Sequence, residues 1–187
     1  MAKQKNNIIM RSTRGMVGGQ IVFKRRAGKG YVSAAPEVNE NRKPTEKQLA
    51  VQEKFKTSTA YAQLAIKDAG LKKAYKAAAL RGQTAYNVAF QDASYAPKVI
   101  ALFTDGYTGV IGNTLVVRAT DNFKVAIVKV SIRNANGELI EEGPAELSTG
   151  DLWIYTVTQS NFNINGTKIK ATAFDMPENE GSLEVTL

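Results

Sequence analysis

Residues 18–36, GGQIVFKRRAGKGYVSAAP, place four glycines and four cations within nineteen positions. Glycine beside lysine serves phosphate binding when backbone N–H groups close on an oxyanion and the lysine adds charge. The spacing here excludes the known loops of that kind. A Walker loop requires G-x-x-x-x-G-K-[ST], and a dinucleotide turn requires G-x-G-x-x-G between a strand and a helix. AGKGYV has no hydroxyl residue after its lysine and no helical pattern behind it. What remains is a partner-binding set. Arg11, Arg14, Lys24, Arg25, Arg26 and Lys29 supply positive charge, and Ile21, Phe23 and Tyr31 supply apolar and stacking surface. Such a set suits an acidic protein surface or, as the competing reading, nucleic-acid phosphates with Phe23 and Tyr31 against bases.

Catalytic chemistry has little to draw on. The 187 residues contain no cysteine and no histidine, so thiolate chemistry, the commonest general base and the commonest metal ligand are all missing. The 17 carboxylates would have to act alone. Glu141 and Glu142 are adjacent and, in an extended segment, point to opposite sides. Asp121 and Asp175 follow similar strand ends, RAT and ATAF, and could meet at one pole of a β domain. They read best as turn-forming aspartates, with a calcium site as the sharper alternative. No metal is assigned, no cofactor is expected, and the chain reads as non-enzymatic.

Three segments must position these residues. Charge divides them: residues 1–47 hold 11 Lys/Arg against 3 Asp/Glu, whereas residues 98–187 hold 7 against 11. Residues 1–43 form a basic arm in which QIVFKRR and YVSA make a β-hairpin, with Gly28 and Gly30 as the turning residues. Residues 44–97 form a helical docking module. Thr45 and Gln48 match a capping box, so a helix starts near Glu46, with Val51, Phe55, Ala62 and Ile66 on its inner face. Two shorter helices follow at LKKAYKAAAL and TAYNVAFQDA. Tyr61, Tyr75, Tyr86 and Phe90 read as core packing.

After Pro97 the hydrophobic period changes from helical to two. In FKVAIVKVSIRN, Ala126, Val128, Val130 and Ile132 share one face. Asn136-Gly137 marks a hairpin, strands follow at DLWIYTVT, TKIKATAF and GSLEVTL, and Trp153 is the expected core anchor. Residues 98–187 are thus expected to be an all-β sandwich of six or seven strands, and the whole chain α+β and multidomain. No segment approaches the length of a membrane span.

The stretch RATDNFKVAIVKVSIRNANGELIEEG resembles the immunoglobulin-like modules of bacterial surface and phage virion proteins. TRGMVGGQIVFKRRAGKGYVSAAP followed by PTEKQLAVQEKF is similar to a family of Bacteroidetes and phage proteins with a basic, glycine-rich N-terminal hairpin. These resemblances imply a structural protein of a phage or phage-derived particle, a capsid, portal-proximal or tail accessory component. It would be assembled in the host cytoplasm and carried in the virion, with other subunits as homo- or hetero-oligomeric partners and at most weak nucleic-acid contact. They supply no catalytic residue.

Overall fold

The computed structural model of the chain describes residues 2–3, 13–26, 29–37 and 43–187. They fall into two compact units, Met1–Thr45 and Glu46–Leu187. The helices and the seven strands that follow them, expected as separate segments, share the second unit.

The first unit is a four-stranded antiparallel sheet of β1 (Ala2–Lys3), β2 (Gly15–Val17), β3 (Ile21–Arg26) and β4 (Lys29–Ala34), in the order β1-β4-β3-β2. The hairpin expected from QIVFKRR and YVSA is there as β3 and β4, with Ile21 opposite Ala34 and Lys24 opposite Tyr31. Of the two turning glycines expected there, only Gly30 can be placed. Gly28 lies outside the described residues, and Gly30 sits inside β4 opposite Arg25. Gly18 and Gly19, at φ of 58° and 67°, make the β2–β3 turn, closed by Gln20 N–H donating to Val17 O at 3.2 Å. Two successive positive φ values give the primed turn that matches strand twist, and glycine takes them without steric cost.

In the second unit, α1 (Glu46–Ala65) begins where the Thr45–Gln48 spacing predicts. It is followed by α2 (Ala69–Ala78), capped by Asp68 accepting from Leu71 N–H at 2.7 Å, and α3 (Ala85–Ser94), capped by Thr84. The inner face of α1 is only partly the expected one: Ala62 is buried and Ile66 half-buried, but the N-terminal half of the stripe is exposed. Val51 and Phe55 are 68% and 61% exposed, while Ser58, Ala62 and Ala65 are buried. The reason is steric. Those three small residues recur at helical spacing and let α1 lie close to the bulky Tyr75, which is fully buried among Ala62, Ala65, Val88 and Ala89. We expect Val51→Ser to change stability by no more than about 0.5 kcal/mol in a denaturant titration.

The remaining strands are β5 (Lys98–Phe103), β6 (Thr114–Thr120), β7 (Val125–Arg133), β8 (Leu139–Leu147), β9 (Leu152–Thr156), β10 (Lys168–Asp175) and β11 (Glu180–Thr186). They form an antiparallel sheet in the order β11-β10-β7-β8-β9-β6-β5. β8 joins its two halves, pairing with β7 through Glu141–Ala145 and with β9 only through Glu146 and Leu147. The first and last strands of that order, β5 and β11, also meet. One core therefore receives residues from all seven strands: Leu115, Val117, Val128, Val130, Ile132, Ile169 and Ala171 are fully buried, and Trp153 is 7% exposed. The period-two reading of β7 holds for Val128, Val130 and Ile132, with Ala126 half-buried and Lys129 and Arg133 outside.

Candidate functional site

The arm residues separate onto two faces of the first sheet. Directly opposed residues of antiparallel strands share a face, and neighbours along a strand alternate. Val17, Ile21, Phe23, Arg25, Val32 and Ala34 therefore lie on one side, and Met16, Val22, Lys24, Lys29, Tyr31 and Ser33 on the other. The first face is apolar with one cation; the second brings Lys24, Lys29 and Tyr31 together. Arg26 is paired with Lys29 in the register, Arg14 is exposed just before β2, and Arg11 lies outside the described residues. None of residues 13–25, 29–37 and 43–45 is buried, and Met16, Val17 and Ile21 are 62%, 61% and 43% exposed.

A second constellation lies within the helix-and-strand unit. The inward rank Leu115, Val117, Ala119 of β6 runs on to Asp121, and the inward rank Ile169, Ala171, Ala173 of β10 ends in Asp175. The period of two that fills the core thus aims both aspartates to one end of it. They meet there with Asp92 of α3, which shares the buried face of its helix with Val88 and Ala89. One carboxylate oxygen from each of Asp92, Asp121 and Asp175 lies within 4.8 Å of the others.

Asp92 and Asp121 are each held through one oxygen, and Asp175 through both. Tyr75 Oη donates to Asp92 Oδ2 at 2.6 Å, and since that uses its proton, Tyr61 Oη donates in turn to Tyr75 at 2.8 Å. Asp121 Oδ2 accepts from the backbone N–H groups of Phe123 and Lys124, each at 3.1 Å. Asp175 accepts from Asn179 N–H at 2.7 Å and Asn179 Nδ2 at 2.8 Å, and the same amide reaches Asp92 O at 3.3 Å. The other oxygens of the first two, Asp92 Oδ1 and Asp121 Oδ1, are buried without a hydrogen-bond partner. Burial, together with the facing Asp121, pushes the Asp92 carboxyl up to about 7, and burial also raises Asp175. Tyr75 is raised too, by burial and by its bond to Asp92.

No family model matches the chain, and no curated protein matches it. Among solved structures it is similar to a conjugative transposon lipoprotein from Bacteroides eggerthii DSM 20697. That likeness covers 48% of this chain and 92% of the other, at 15% identity and a TM-score of 0.24.

Of the two aspartates singled out from sequence, both reach the constellation; Asp92 was not anticipated. Its signal was present, since an aspartate at helical spacing from Val88 and Ala89 interrupts an apolar stripe. Tyr75, read as core packing, is in the core and also bonds Asp92. Tyr61, Tyr86 and Phe90 are half-buried and pack against that core as expected, and Tyr86 and Phe90, stacked at 6.5 Å between ring centroids, also line an open groove of 580 Å³ with Val51, Phe55 and Tyr95. Glu141 and Glu142 do point apart: Glu141 is 6% exposed and Glu142 is on the surface.

Proposed function

We propose that this chain is a non-enzymatic structural subunit of a phage or phage-derived particle, docking through its basic N-terminal sheet onto neighbouring subunits. Its seven-stranded domain, read as an immunoglobulin-like sandwich, is then the exposed spacer or contact surface, and the chain belongs in the virion after assembly in the host cytoplasm. The observation that carries the docking role is the first sheet itself, in which none of residues 15–17, 21–25 and 29–34 is buried and the apolar residues of β3 and β4 are at most half-buried. Such a sheet gains little from burial to offset the entropy of ordering its strands, so a partner is needed to supply further contact. Its edges favour this too. Among the described residues, β2 pairs with β3 at Ile21–Phe23 and β1 with β4 at Tyr31 and Val32, and strand edges of this kind can be extended by a neighbour. Repetition in a symmetric assembly multiplies such weak contacts.

The two faces give the test. In the full-length protein, Phe23→Asp should weaken self-association, or association with a coat, portal or tail subunit, by about 10- to 100-fold, the burial value of one aromatic side chain. Sedimentation velocity over a wide concentration range reads this. The nucleic-acid reading draws on the juxtaposition of Lys24, Lys29 and Tyr31 and makes the opposite prediction. Lys24→Glu with Lys29→Glu would then abolish duplex DNA binding and lower its log-log salt slope by about 0.9 per lost phosphate contact. Tight DNA binding that is lost in the lysine pair and retained in Phe23→Asp would replace the docking reading.

A further inference from the structure

We propose that Asp92, Asp121 and Asp175 form a binding site for a hard divalent cation, calcium in the first instance, which ties α3 to the ends of β6 and β10. Three observations converge on it. Ligands at the usual calcium–oxygen distance of about 2.4 Å can be no further apart than about twice that. The three carboxylate oxygens, within 4.8 Å of one another, meet this limit. Second, Asp92 is fully buried, and its Oδ1, like Oδ1 of Asp121, has no hydrogen-bond donor. A buried carboxylate oxygen without a donor is costly, and a cation satisfies it. Third, no cation among the described residues is paired with the cluster. The ion pairs among the described residues, Lys56–Glu53 and Arg118–Asp151, lie elsewhere.

The surroundings fit an oxygen-ligated ion. Hydrogen bonds from Tyr75 to Asp92 Oδ2, from the 123–124 backbone to Asp121 Oδ2 and from Asn179 to both oxygens of Asp175 orient the three carboxylates, as supporting contacts around a metal do. Two clefts reach Asp121, one lined by Tyr95, Lys98, Thr120 and Asn122, the other by Phe123, Lys124 and Trp153. Lys98 and Lys124 line these clefts without pairing to the carboxylates. With no histidine or cysteine in the chain, the donor set is all oxygen and favours calcium or magnesium over zinc or copper.

The test uses the full-length protein stripped with EDTA. Its melting temperature should rise by about 5 °C or more when calcium is added to a hundredfold excess over Kd, because the ion binds the folded state alone. Terbium, a calcium mimic, should show luminescence sensitised by the nearby tyrosines. Asp92→Asn and Asp121→Asn should each remove the calcium-dependent rise and the terbium signal; the new amide can donate to the facing oxygen, so both variants are expected to fold. If either fails to fold, calorimetric titration of the wild-type protein with calcium decides alone. No melting shift and no heat of binding in the wild type would overturn the site, leaving the facing carboxyls to share a proton. An undiminished shift in both folded variants would overturn it equally, since the ion would be bound elsewhere.

Discussion

Replacing Glu141 by alanine should lower the unfolding free energy by about 3–5 kcal/mol, a large part of what a domain of this size possesses. The side chain points into the core from β8, and a single oxygen, Oε2, accepts three hydrogen bonds. They come from Tyr155 Oη at 3.0 Å, Thr158 N–H at 2.8 Å and Thr158 Oγ1 at 2.7 Å. Alanine would strand all three donors and open a cavity beside Tyr155. Glutamine is the informative control. Its carbonyl oxygen can occupy the Oε2 position and keep the three bonds, while its NH₂ replaces Oε1, which is already buried without a partner. We therefore expect Glu141→Gln to fall within about 1 kcal/mol of the wild type in the same denaturant titration. Alanine and glutamine behaving alike would show that the three bonds contribute little.

The same pair of residues sets an alkaline limit. Burial, reinforced by the charge of Glu141, pushes the Tyr155 hydroxyl up to about 12 from its ordinary 10.0. A hydroxyl that ionises later in the folded than in the unfolded chain leaves the folded state holding more protons between those values. Its contribution is complete below pH 10 and is lost as the pH rises toward 12. Removing the Glu141 charge in Glu141→Gln should narrow that window, which spectrophotometric titration of tyrosinate would detect.

The elements that sequence revealed are those whose burial is periodic on one element. β7 alternates cleanly because one face is core and the other solvent, and α3 is marked by its Thr84 cap. β8 was harder to see. It holds Gly143 and Pro144, residue types that disfavour strands, yet Gly143 suits its place because the Tyr155 ring edge lies beside it, Cε2 3.0 Å from where a Cβ would stand. Pro144 is opposite Lys129 where β8 is about to change partners from β7 to β9. The α1 stripe misled for a related reason. Val51 and Phe55 are spaced for a core, but what decides burial is which face of the helix the partner can approach, and Ser58, Ala62 and Ala65 allow the closest approach. The carboxylate constellation depends on three segments meeting, so each sequence window shows only one aspartate at the end of an apolar rank. Within the arm, residue types named the candidates, but only the strand register could sort Phe23 and Arg25 from Lys24 and Tyr31.

Gly109→Ala should cost about 3 kcal/mol or more, against about 1 kcal/mol for Gly112→Ala. Both residues have positive φ, 75° and 89° respectively, so both substitutions carry the strain of a left-handed backbone. Only one of them also meets an obstacle. At Gly112 a new Cβ would find nothing within 4 Å, whereas at Gly109 it would run into the backbone carbonyl of Asn161, which has no rotamer to escape through. The approach is close because the two backbones are paired there, Asn161 N–H donating to Gly109 O at 2.8 Å. Moving Asn161 aside would spread the damage inward. Its buried amide donates to Thr167 Oγ1 at 2.9 Å and to Tyr107 Oη at 3.3 Å, so the 109 and 161 loops close that end of the core together. Thermal unfolding of the two variants separates the contributions, since backbone strain alone predicts equal losses and the steric account predicts a loss roughly threefold greater at Gly109.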